Sequence, residues 1–158
     1  MIRIVSWVLS MAAFLVVLRI SDEIHVFVDL PSALTSWVFP ALLLLAVHSP
    51  GRVWRALGDL RAPAEAGIAA ARFREDAEVF ASFGILSLAA GMIGSLAGLI
   101  TLLSNLANPR ESGIYLSISM LTVLYALIVV IFVALPGWRL HSEAAKLAAT
   151  FEDPVEEG

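Results

Sequence analysis

The polar chemistry in the two longest uncharged stretches of this chain is carried by hydroxyl groups. Val79–Leu106 includes Ser87, Ser95 and Thr101, and Ile114–Leu135 includes Ser117, Ser119, Thr122 and Tyr125. Neither stretch holds an Asp, Glu, Lys, Arg or His. A hydroxyl can orient water and donate a hydrogen bond to a carboxylate. A proton relay at membrane depth normally needs a titratable group. If these stretches border an ion path, a partner must therefore bring the carboxylate. The competing use of each hydroxyl is a bond to its own backbone.

Other chemistry is scarce. His25, His48 and His141 each lie at or beyond the end of an apolar segment, without neighbours at metal-ligand spacing, and read as solvated or interfacial side chains. Glu75, Asp76 and Glu78 stand beside Arg72 and Arg74, the pattern of a solvated helix face. There is no P-loop, Gly-x-Ser-x-Gly or His-Glu-x-x-His motif. No catalytic residue, metal site or cofactor is expected, so the chain does not read as an enzyme. It contains no cysteine, which excludes disulfides and thiolate metal sites. The loop arginines suit topology signals rather than a nucleic-acid surface.

The elements that position the hydroxyls follow from spacing. Ser87, Gly91, Gly94, Gly98, Thr101 and Asn105 recur at intervals of four and three, which places them on one helical face. Each glycine costs about 1 kcal/mol against alanine inside a helix. Their shared use is a close helix–helix seam, and the weakly polar face could also line a path for an ion.

The chain has 158 residues, 59% of them hydrophobic, and a mean hydropathy of +0.88. Soluble domains are about 45–50% apolar, so the expectation is an all-α, multi-pass membrane protein forming one domain. Four transmembrane helices are expected over about residues 4–20, 33–48, 79–106 and 114–135. The first could be a signal peptide, but Arg19–Glu23 offers no small-x-small cleavage site. Pro31 closes the turn before the second helix, and Pro40 should kink that helix or break one of its backbone hydrogen bonds. Residues 49–78 form a polar connection, helical from Ala64 to Glu78. Pro109 lies in the turn after the third helix, Pro136 ends the fourth, and residues 137–158 form a tail. With both termini on the side of the 49–78 connection, eight of the ten Lys and Arg residues share that side. The positive-inside rule makes it cytoplasmic.

Several of these segments resemble a known family. They are Gly91-Met-Ile-Gly-Ser-Leu-Ala-Gly-Leu-Ile100, Leu103-Ser-Asn-Leu-Ala-Asn-Pro109 with Gly113, Leu121-Thr-Val-Leu-Tyr125 and Leu135-Pro136. Together they resemble the third and fourth helices of the MotA/TolQ/ExbB proton-channel family, closest to its flagellar-stator MotA branch. Phe27-Val-Asp-Leu-Pro-Ser32 resembles that branch's turn before the second helix. The resemblance implies a homopentamer in the bacterial inner membrane around a MotB- or ExbD-like single-span partner. That partner's membrane aspartate would carry the proton.

On this resemblance Ser95 stands at the third helix's channel-facing threonine, and Pro136 at the proline ending the fourth helix. The fourth-helix channel threonine falls on Val123, with Thr122 about 100° away. Ser95, Thr122, Val123 and Thr101 are thus the candidate ion-path residues. The proline opening MotA's third helix falls on Leu88, and MotA's large cytoplasmic domain is reduced to Arg52–Glu78. The expectation is a minimal subunit of an ion-driven motor or channel, the ion being the proton on this resemblance. The alternatives are a MotA-like scaffold that does not conduct and an unrelated four-helix membrane protein.

Overall fold

The computed structural model describes residues 9–13, 16, 29–60 and 70–152. Most of the expected 4–20 helix, His25 and the end of the acidic tail lie outside the described residues. Among the described residues there is no strand, and three helices are long and apolar enough to span a membrane.

Helix α1 runs from Leu30 to Val47. Asp29 caps it, its Oδ2 accepting from the Ser32 N–H at 2.9 Å, and Pro31 fits the first turn because no N–H is needed there. Proline at position 40 has no N–H for the carbonyl of Ser36. The helix answers with one wide π turn at Leu34–Val38, in which the Phe39 N–H reaches the Leu34 carbonyl. The segment thus passes Pro40 without breaking.

Ser49, extended before Pro50, ends the approach from α1, and Pro50 opens α2, Pro50–Asp59. This helix sits in what reads by sequence as a polar loop.

Helix α3, Ala70–Ser104, is a single 35-residue element. At 1.5 Å per residue it is about 50 Å long, against a hydrocarbon core of about 30 Å, so one end projects beyond the apolar layer. The turn after it spans 105–108 rather than 108–113. Ser112 Oγ closes that turn on the Asn105 carbonyl at 2.9 Å, and Pro109 begins α4, Pro109–Val129, five residues ahead of the expected start.

The fourth segment does not stop at Pro136. A second π turn at Val130–Ala134 leads directly into α5, Leu135–Glu152. The wide turn absorbs the proline, as at Pro40, so Pro136 is an internal residue and not a helix end.

Helices α3, α4 and α5 form a long antiparallel hairpin, and α1 and α2 pack across it. Ala70 and Phe73 meet Ala145 and Ala148 where the hairpin projects. Leu44, Ala56, Val79 and Phe80 join α1 and α2 to α3.

Candidate functional site: a hydroxyl-lined groove beside the glycine seam

The glycine face of α3 lies against α4 of the same chain. A Cβ at Gly91 would overlap that of Ala126. One at Gly94 would come within 2.7 Å of Thr122 Cγ2, and one at Gly98 within 3.0 Å of Ser119 Cβ. The spacing continues to Gly84, where the Ala134 Cβ would be 2.9 Å away. Ser87 is fully buried in α3, and its Oγ has no hydrogen-bond partner. Asn105 lies beyond the seam, its Nδ2 donating to the Thr101 carbonyl at 2.8 Å.

Because the backbones approach so closely, α1 can lay its polar face into the same crossing. Ser36 Oγ donates to the Thr122 carbonyl at 2.9 Å. Thr122 Oγ1 donates to the Ile118 carbonyl at 2.7 Å. Its single hydrogen is then committed, so Ser32 Oγ, 3.0 Å away, is the donor to Thr122 Oγ1. Tyr125 Oη accepts from the Asp29 N–H at 3.2 Å, which fixes the start of α1 to α4.

Toward the α3–α4 turn, this crossing opens into a groove of about 320 Å³. Ser32 and Thr35 of α1, Gly94, Gly98 and Thr101 of α3, and Tyr115 and Thr122 of α4 line it. Pro31, Ala97 and Ile118 complete the lining, so most of the surface is carbon; the polar side chains on it are hydroxyls, with no charge. Among the described residues, no cluster of three or more His, Cys, Asp or Glu could hold a metal ion.

The structure separates the four candidate ion-path residues. Thr122 and Thr101 line the groove. Thr122 is 2% exposed, whereas Thr101 is half-buried and donates to its own helix, at the Ala97 carbonyl. Ser95 does not line the groove. It lies on the other flank of the seam, where Ser119 Oγ donates to the Ser95 carbonyl and the two hydroxyls pair at 2.9 Å. Val123 is half-buried and also outside the groove lining. Sequence reasoning overlooked Ser32 and Ser36. Their spacing of four in an apolar segment was the available signal.

A second polar cluster lies at the opposite end of the bundle. Asp76 is 0% exposed, with Oδ1 3.3 Å from Arg55 Nε, and its Oδ2 is buried without a partner. Arg55 also reaches Glu75 at 3.2 Å, and Arg72 reaches Asp59 at 2.6 Å. His141 is 2% exposed. Its ring stacks on Phe80 with centroids 5.4 Å apart, and Nε2–H donates to the Ala56 carbonyl at 3.1 Å. Neither Asp76 nor His141 is the solvated side chain its neighbours in sequence suggest, because α2 folds over both. Asp76 precedes the uncharged stretch that begins at Val79. Burial pushes its carboxyl above the ordinary value of 3.8, and Asp59 adds to this, while Arg55 and His141 pull against it.

Residues 59–153, well over half of the chain, match the model of the MotA/TolQ/ExbB proton channel family. The chain belongs to that family. The match covers α3, α4 and α5, and therefore the glycine seam and two of the groove's three walls. The chain is also 40% identical over 57 residues to chemotaxis protein PomA of Vibrio alginolyticus. That stretch is 36% of this chain and 22% of PomA. In this member of the MotA/TolQ/ExbB family, the third wall is supplied by α1, which lies before the matched residues.

Proposed function

We propose that the chain is a channel or stator-type subunit of a proton-driven motor in the bacterial inner membrane. It would act as a homopentamer around a MotB- or ExbD-like single-span partner whose membrane aspartate carries the proton. Four crossings with both termini in the cytoplasm suit the distribution of its Lys and Arg residues. The observation that carries the reading is the charge-free, hydroxyl-lined crossing of α1, α3 and α4 in a member of a proton channel family. A carboxylate brought to such a surface meets donors and water, with no fixed cation to trap it. The work is conduction and torque, without enzymatic chemistry.

One observation favours the second reading, a scaffold that does not conduct. In the single chain Ser95 and Thr122 both give their hydroxyl hydrogen to acceptors inside the subunit. Conduction requires one of these bonds to open toward the partner.

The test is co-expression with a MotB- or ExbD-like single-span protein from the same genome, subunit counting by native mass spectrometry, and proton uptake into vesicles containing the complex. Five copies around two partner chains with uptake dependent on the partner's aspartate is the expected result. Assembly without uptake selects the scaffold, and failure to associate removes the motor reading.

A further inference from the structure

At the end of the bundle away from the groove, α1, α2 and α3, with Val133 of the second π turn, line a cavity of about 300 Å³. Carbon side chains form its walls, among them Ala41, Leu45, Val53, Trp54, Val79 and Phe83. A space with no polar partners does not hold water well.

Its depth is fixed by the chain itself. Leu44 and Leu45 are in the last turn of the spanning helix α1, and Val79 begins the uncharged stretch of α3. The charged band of Arg52, Arg55, Glu75 and Asp76 stands immediately beyond. This is the level at which hydrocarbon gives way to headgroups. Helix α2 divides its faces accordingly. Arg52 and Arg55 turn to the acids of α3, and Val53, Trp54 and Leu57 turn to the cavity. The cavity opens outward, because Leu45 and Trp54 at its wall are 41% and 72% exposed. A large exposed Trp at this depth is the usual interfacial anchor.

We propose that this cavity holds one acyl chain of a bilayer phospholipid, with the headgroup at the level of Arg52. Arg52 suits that position because its contact with Glu75 is long, 3.7 Å, and Glu75 is already engaged by Arg55. The bound chain would wedge α2 against the end of α1. This inference depends on membrane insertion and not on ion conduction, so it survives if the scaffold reading is correct.

The experiment uses the complete chain with phenylalanine replacing Trp7, Trp37 and Trp138, leaving Trp54 as the fluorophore. Vesicles contain phosphatidylglycerol brominated in mid-chain and diluted into unbrominated lipid. Ala41→Phe fills the cavity from an exposed position of α1. Losing two methylenes of buried contact should lower occupancy about tenfold. The expected result is strong quenching of Trp54 at low brominated fraction, lost in Ala41→Phe, with one phospholipid retained per chain by native mass spectrometry only in the parent. Val79→Ala, which enlarges the cavity, should keep both signals and guards against a folding defect in Ala41→Phe. Equal quenching and lipid retention in the parent and a folded Ala41→Phe protein would overturn the assignment. So would dissociation of the oligomer by Ala41→Phe with retained lipid unchanged, because the cavity would then seat a second copy of the chain.

Discussion

Thr122 is tied into the crossing through two different groups. Its carbonyl accepts from Ser36 and its hydroxyl is shared between Ile118 and Ser32. Thr122→Val removes only the second set, so α1 should remain docked. A hydrogen bond to a charged group contributes about 1.5–3 kcal/mol. If the Thr122 hydroxyl turns to the partner's carboxylate during conduction, Thr122→Val should slow proton uptake by one to two powers of ten, at about 1.4 kcal/mol per tenfold. Ser95→Ala should do the same if the Ser95 hydroxyl turns to that carboxylate, while Ser119 keeps its bond to the Ser95 carbonyl and the helix crossing holds. Thr101→Val should change uptake little, because Thr101 stands near the outer end of the seam, seven residues beyond Gly94 and its contact with Thr122. Unchanged uptake in both Thr122→Val and Ser95→Ala, with assembly intact, would remove these hydroxyls from the ion path.

Asp76 gives a prediction of opposite character. The folded chain holds the Asp76 proton more tightly than an unfolded chain does. The charged carboxylate is therefore a liability that grows as pH rises through its folded value and fades below 3.8. Arg55 is partly exposed and keeps Glu75 when Asp76 is neutralised. Asp76→Asn should thus raise the melting temperature in detergent at pH 8, by a margin that shrinks as the pH falls toward 4. A lower melting temperature at every pH would mean that the Arg55 ion pair outweighs the cost of burial.

At the scale of the element, the glycine seam discriminates between positions that look alike in sequence. Gly91→Ala places a Cβ on top of that of Ala126 and should destabilise the chain by about 1–3 kcal/mol, the usual cost of overpacking. Gly113→Ala meets nothing within 4 Å and should stabilise α4 by up to about 1 kcal/mol. Thermal unfolding in one detergent compares the two directly, and equal shifts would contradict the packing. The seam was legible because its period is a property of one helix. So was the lost backbone hydrogen bond at Pro40, but the uninterrupted path through Pro136 was not. Whether a proline ends a helix or widens one turn depends on neighbours that hold the next turn in place, here Ser36 on Thr122 and Phe80 against Gly137. Asp76 and His141 were misread for the same reason. Their partners, Arg55 and Ala56, come from α2, a helix that Gly51 and Gly58 concealed inside a polar stretch. In the groove, Thr101 and Thr122 were legible as hydroxyls on apolar helices. Ser32 required knowing that α1 crosses α4 at Ile118.

The whole molecule is asymmetric along its long axis. Helix α3 is longer than the apolar layer is thick, and the excess is at its N-terminal end, where Phe73 packs on Ala145 and Ala148 of α5. The same end carries α2 and the ion pairs of Arg52, Arg55 and Arg72. Among the described residues, the other end is the start of α1 and the tight turn of residues 105–108, closed by Ser112. A chain with an arginine-rich end should insert with that end in the cytoplasm, because translocating arginine-rich segments is disfavoured. A reporter that fluoresces only in the cytoplasm, fused after Gly58 or after Glu157, should therefore be bright. The same reporter fused after Asn108 should be dark, and an alkaline phosphatase fusion there should be active. The helix expected over residues 4–20 sets the side of the N-terminus, and a fusion before Met1 reads it independently. A bright Asn108 fusion would invert the molecule. It would place the groove on the cytoplasmic side and the α2 cavity on the outer one, removing the proposed stator orientation while leaving membership of the family untouched.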